Sequence, residues 1–206
     1  QNGWDRVLPW LQLCRLPNVF TAVADPLAGA LLVGARPGYV FEIVMVIIAS
    51  ACLYTGGVVL NDWHDYRRDL AERPGRPLPS GRIRRWHALV LACLLLAVGM
   101  VAAWCAGPTT LQVAVLLLIA IITYDVLLKH LPLAPGVMGL CRGLNVLMGM
   151  SLVPLADSSV STGVRVFLAG VMAFYILGVT LFAQREAALK QDVRIWIGSI
   201  ISTLSL

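Results

Sequence analysis

An uncharged stretch of the chain runs directly into Asn61-Asp62-Trp63-His64-Asp65-Tyr66-Arg67-Arg68-Asp69. On a continuing helix, at about 100° per residue, Asn61, Asp62, Asp65 and Asp69 point into one ~100° sector along roughly 12 Å of axis. Three carboxylates on one face repel one another. At the mouth of an apolar bundle they are also poorly solvated, so a positive group belongs between them. Hard oxygen donors at this spacing suit Mg²⁺, which retains waters and takes one or two carboxylates together with phosphate oxygens. The simpler alternative is a solvated helix end whose acids pair with Arg67, Arg68 and their neighbours. The position of the acids immediately after an apolar run favours the ion. Trp63 and His64 fall in other sectors, where His64 is either a ligand or a loop or headgroup contact.

Eleven residues beyond Asp62 begins Arg73-Pro74-Gly75-Arg76-Pro77-Leu78-Pro79-Ser80-Gly81-Arg82. Each proline fixes its own φ and biases the preceding residue toward extended backbone, so Arg73 and Arg76 sit on a stiff strap. Guanidinium groups held in this way make bidentate contacts to phosphate. For Arg82, Arg84 and Arg85 a contact with lipid headgroups is the competing role.

The elements that must carry these residues follow from composition. Of 206 residues, 59% are hydrophobic and 13% charged, and the mean hydropathy is +0.81, which a soluble domain of this size does not sustain. The chain therefore reads as an all-α integral membrane protein. Uncharged or nearly uncharged stretches cover 16–35, 43–60, 86–124, 131–156 and 166–184. The third is twice the length of one span and breaks at Ala106-Gly107-Pro108, giving six complete spans and a partial seventh. The alternating pattern of a membrane barrel is absent, so the spans are helices. We take residues 1–206 as one transmembrane domain, with 61–85 as its long charged loop. The chain opens on Gln1, and it stops twelve residues into an uncharged run beginning at Ile195. Both ends therefore read as cut, and further helices are expected beyond Leu206. No signal peptide of the usual form is evident.

Sixteen Lys and Arg face eleven Asp and Glu, a formal charge of +5. With the amino terminus inside, thirteen basic residues fall on the cytoplasmic side and only Arg36 and Arg165 on the other, while Arg142 lies within a span. By the positive-inside tendency this places the 61–85 loop in the cytoplasm, and it argues against nucleic acid as the partner of the positive charge. The five cysteines lie singly in apolar segments with no CxxC pair and read as small buried hydrophobes.

Two other groups stand out. Tyr124 and Asp125 end the fourth span, with Lys129 following on the cytoplasmic side, where Asp125 and Lys129 at i,i+4 make an exposed pair in the plainest reading. In the fifth span, Gly139 and Gly143 permit close helix packing. Arg142 and Asn145, one turn apart, should face the bundle interior; Arg142 serves either a substrate or a structural pair with an acid such as Asp25.

The run from Asn61 to Gly81 resembles the first aspartate-rich motif of the UbiA family of intramembrane prenyltransferases over 21 contiguous positions. The span order and the placement of the loop after the second span are similar as well. The resemblance implies a bundle truncated from nine helices around a lipid-accessible cavity. It implies that Asp62, Asp65 and Asp69 hold Mg²⁺ on an allylic diphosphate, that Asn61 supports that site, and that Arg73 and Arg76 meet phosphate charge. It also implies that Tyr124 and Lys129 face the diphosphate. The implied partners are a prenyl diphosphate, a hydrophobic acceptor and membrane lipids. The implied reaction moves the isoprenoid group to an aromatic or lipid-like acceptor with Mg²⁺-assisted departure of pyrophosphate, and no dedicated general base is evident.

The family's second motif, two aspartates four residues apart at the end of the sixth helix, is replaced by Gln184-Arg185-Glu186. Glu186 stands in for one ligand, and Arg185 brings positive charge where a second ion is expected. This end and Cys141-Arg142-Gly143-Leu144-Asn145 resemble the EboC-like branch, and the Asn61-Asp62-Trp63 opening is similar to that of chlorophyll synthases. The rival expectation is a divergent, non-catalytic member acting as a transporter or scaffold. Phosphotransfer to alcohols linked to CDP is disfavoured because the acidic motif of that class is missing.

Overall fold

The computed structural model describes residues 3–129, 131, 133–186 and 194–205. Its elements are α1 (Gly3–Leu13), α2 (Leu16–Leu32), α3 (Val40–His64), α4 (Tyr66–Glu72), α5 (Arg85–Ala106), α6 (Pro108–Thr123), α7 (Ala134–Met150), α8 (Thr162–Glu186) and α9 (Arg194–Leu204). Among the described residues there is no strand. Helix is the outcome that hydrocarbon imposes, because every backbone donor and acceptor must be satisfied within the segment.

Among the described residues four helical segments are long and apolar enough to cross a membrane: Pro37–His64, Arg85–Ala106, Pro108–Leu128 and Thr162–Ala183. This revises the expected six. The first and fifth expected spans correspond to α2 and α7, each of 17 residues, or about 26 Å at helical rise, which falls short of a ~30 Å hydrocarbon core. The partial seventh corresponds to α9, of 11 residues. The expected break at Gly107 is present, since α5 ends at Ala106 and α6 begins at Pro108.

Helices α2, α3, α5, α6 and α7 pack around a common core, each on its neighbour, with α7 returning to α2; α8 lies outside on α7, and α9 on α8. Val46, Ala49, Leu53, Ala103, Ala114 and Met148 fill the middle of this bundle. Small residues set its tightest seams. A Cβ on Gly149 would fall on the carbonyl of Pro26, and one on Gly139 would fall on the carbonyl of Ala173, so α7 meets both α2 and α8 backbone to backbone. The outer surface is apolar: Phe20, Trp86, Trp104, Phe167 and Phe174 are all exposed. Trp86 and Trp104 lie near the two ends of α5, 18 residues and so about 27 Å apart, the spacing of two interfacial aromatic belts. Cys93 and Cys105 are also exposed, unlike the buried cysteines expected, while Cys14, Cys52 and Cys141 are half-buried. Thiols on a lipid-facing surface meet no polar solvent and need no burial in protein.

About half of the expected loop 61–85 is helical. Its first residues complete α3, α4 follows, and only the segment from Arg73 to Arg84 lacks regular helix. That segment is fixed from below by Leu78 and Ile83, which are buried against Leu13, Val59, Ala88 and Ala92. From above, Arg82 donates to the Gly75 carbonyl at 2.6 Å and to Gln12 at 3.2 Å. Gly81 takes φ +73°, the left-handed turn that closes the strap. Arg85 lies over the rings of Trp63 and Tyr66 at 4.9 and 4.8 Å. Arg82 and Arg85, both exposed, thus make internal contacts that hold the strap in place.

Candidate active site

Helix α3 does not continue smoothly through the acidic motif. It stops at His64, and the chain turns at Asp65 into α4, although the Asp65 and Asp69 N–H groups still donate to the carbonyls of Asn61 and Asp65. The helical spacing is nearly kept, and Asp62 and Asp69 are both buried. Buried carboxylates need partners, and the geometry supplies them. Asp62 accepts from Arg15 at 2.8 Å. A single Arg76 nitrogen donates to Asp69 at 2.6 Å and to Asp62 at 3.5 Å. Asp65 accepts from Lys129 at 2.6 Å, and the Lys129 side chain is only 6% exposed.

The three acids therefore do not converge on one point. Among the described residues no group of three His, Cys, Asp or Glu side chains is close enough to hold an ion. Mutual repulsion separates them, and each takes the nearest cation. Their chemistry still fits a divalent cation. Asp62 and Asp69 present hard oxygens across a gap one positive group wide, and the Arg76 nitrogen fills that gap.

Lys129 reaches the site because of a local change in helix type. Five residues after Tyr124, an ordinary helix would place Lys129 about 140° away around the axis. Instead Tyr124–Leu128 is a π-turn, in which the Lys129 N–H donates to the Tyr124 carbonyl at 3.0 Å, and the wider turn returns Lys129 to the Tyr124 face. The expected exposed Asp125–Lys129 pair is replaced. Lys129 contacts Asp65, Asn61 (3.4 Å) and His64 (3.1 Å), while Asp125 is buried. Tyr124 is half-buried.

The remaining expected residues separate into groups. Arg73 ends α4 and is exposed, away from the contacts among the acids. Arg142 pairs with the buried Asp25 at 3.0 Å and donates to the Thr21 carbonyl at 3.2 Å. Asn145 donates to the Ala22 carbonyl at 2.7 Å and to Asp25 at 3.3 Å. These contacts tie α7 to α2, and Arg142 takes the structural partner weighed for it. Arg185 and Glu186 close α8, and their side chains lie outside the described residues. Arg15 was missed by the sequence reading. Among the described residues it is the non-glycine residue at positive φ (47°), in the turn between α1 and α2. Its only sequence signal is a lone arginine at the membrane-proximal start of α2.

Acids and tethered cations thus interleave at one mouth of a helical membrane bundle. The chain belongs to the UbiA prenyltransferase family, whose model matches residues 22–201. UbiA-family prenyltransferases generally use a divalent metal. Among similar proteins are digeranylgeranylglyceryl phosphate synthases. That of Methanothrix thermoacetophila is 34% identical over 127 residues, covering 62% of this chain and 48% of the relative. That of Methanopyrus kandleri is 33% identical, covering 63% and 47%. That of Ignicoccus hospitalis is 36% identical, covering 62% and 41%. The chain thus spans about half the length of the curated relatives it matches. A solved structure described as digeranylgeranylglyceryl phosphate synthase in membranes superposes with a TM-score of 0.77 at 21% identity, covering 98% of this chain and 75% of that one. It shares the fold.

Proposed function

We propose that this protein is an intramembrane prenyltransferase that moves an isoprenoid group from an allylic polyprenyl diphosphate to a lipid-like or aromatic acceptor. The observation that carries this reading is the alternation of Asp62, Asp65 and Asp69 with Arg15, Arg76 and Lys129 at one end of an apolar bundle. The similar proteins are named for a product bearing geranylgeranyl groups on glyceryl phosphate, which favours an alcohol of a polar lipid as the acceptor.

Asp62 and Asp69, with Asp65 beside them, would hold Mg²⁺, and Glu186 is a further candidate ligand at the end of α8. When bound, the ion supplies positive charge against the negative charge that develops on departing pyrophosphate. Arg76, Arg15 and Lys129, freed from the acids, turn their donors to diphosphate oxygens, where they stabilise the leaving group more in the transition state than in the ground state. Asn61 and Tyr124 border that position, and Arg73, exposed at the end of α4, is a further candidate to meet phosphate charge. Arg142 and Asn145 hold α7 and α2 in register below. The apolar interior houses the isoprenoid chain and keeps water from an allylic cation. By the distribution of basic residues the mouth opens to the cytoplasm.

The test mixes purified protein with Mg²⁺, a panel of prenyl diphosphates and lipid or aromatic acceptors, then measures pyrophosphate release and conjugate by mass spectrometry. Asp62→Asn should lower turnover by about 100-fold or more. Absence of release across the panel, with wild type and Asp65→Ala alike, would overturn the proposal and leave a scaffold.

A further inference from the structure

One acid at the mouth takes no part in the pairing described above. Asp125 is 3% exposed, and its Oδ2 is buried without a hydrogen-bond partner among the described residues. Its carboxylate is nevertheless within electrostatic reach of Lys129, Asp65, Asp62 and Arg15 on the site side, and of Cys141 on α7. It sits in the π-turn that brings Lys129 to Asp65, so the distortion that completes the cation set also places this acid inside. Native buried polar atoms nearly always have a partner, and one without calls for an explanation, a catalytic role being one.

Prenyl transfer to an alcohol releases a proton that such a group can accept. The bond between carbon and the diphosphate oxygen breaks with its electron pair going to pyrophosphate. The alcohol oxygen then forms the new bond to carbon, and its proton must leave. Arg15, Arg76 and Lys129 are already cationic and cannot take a proton. Asp62, Asp65 and Asp69 are committed to cations. We propose that Asp125 is a catalytic residue that accepts the hydroxyl proton of an alcohol acceptor as the ether bond forms. The pair from the broken O–H bond stays on the ether oxygen, and the proton ends on the Asp125 carboxylate. This inference rests on the prenyl-transfer reading and adds to it the acceptor's chemical class and the destination of its proton.

The experiment compares wild type, Asp125→Asn and Asp125→Glu as full chains in nanodiscs with Mg²⁺. Three quantities are read: the Kd of an unreactive geranylgeranyl thiolodiphosphate, single-turnover ether formation from geranylgeranyl diphosphate and a prenylglyceryl phosphate, and pyrophosphate release in the same reaction. Asp125→Asn should bind the analogue within about threefold of wild type yet form ether at least ~100-fold more slowly, and Asp125→Glu should recover at least ~tenfold over Asn. Ether formation by Asp125→Asn within about threefold of wild type overturns the inference. So does a parallel loss of analogue binding and turnover, which marks a structural role. A wild type that binds the analogue and releases pyrophosphate but forms no ether overturns it alone. A wild type that neither binds nor reacts overturns the prenyl-transfer reading as well.

Discussion

Arg76 is the residue on which the ligand-free arrangement turns, since one of its nitrogens serves two buried carboxylates. Replacing it with glutamine leaves Asp62 and Asp69 facing each other with less positive charge between them. Arg76→Gln should destabilise the metal-free protein by about 1–3 kcal/mol, discounted for its partial exposure. Added Mg²⁺ should raise the melting temperature of the variant more than that of wild type. Equal shifts in a thermal melt would mean that ion and guanidinium do not compete for one place. The acids of this site are legible in the sequence because they recur at helical spacing. Their partners are only partly so. Arg76 is seven residues from Asp69, within reach of motif reading, whereas Arg15 is 47 residues from Asp62. Arg15 reaches Asp62 only because a left-handed backbone turns α1 into α2, a conformation that costs roughly 1–3 kcal/mol at a non-glycine residue and that no spacing announces.

Among the elements, α7 carries the sharpest demands. Its glycines at 139 and 149 meet backbone on either side, while Gly136 in the same helix has open space around it. Gly149→Ala should therefore destabilise by at least ~1–3 kcal/mol through displacement of Pro26. Gly136→Ala should be neutral or stabilise by less than ~1 kcal/mol. Thermal melting of the pair in detergent checks the contrast, and similar melting temperatures would show that the α2–α7 seam yields freely. Apolar run length and the Gly107-Pro108 break make most of the helices readable in advance. Two local events are not. The turn at Asp65 and the π-turn at 124–128 depend on what the side chains find across the bundle, Lys129 above all, and tertiary contacts override local periodicity there.

For the molecule as a whole, orientation is the testable property. Gly38 lies at the end of the bundle away from the motif and Gly75 in the strap, and a side chain at either meets nothing within contact distance. Gly38→Cys should react with a membrane-impermeant maleimide on intact cells, and Gly75→Cys only after permeabilisation. The reverse pattern would place the acidic mouth on the outer face. Composition made the membrane legible at once, and the basic asymmetry predicted its sidedness. The number of full-length spans was less readable, because uncharged stretches in sequence overrun the helices that α2 and α7 form.

The pairing of every acid in the motif with a tethered cation bears on how a ligand enters. Admission of a metal-bound diphosphate is an exchange of partners: the acids trade a guanidinium or ammonium for the ion, and the released groups trade a carboxylate for phosphate. Little net charge has to be created or buried at any stage. An ion arriving alone, or a stray anionic headgroup drifting past, meets a doorway that is electrically quiet. Such a lock opens to a visitor carrying both signs of charge at once.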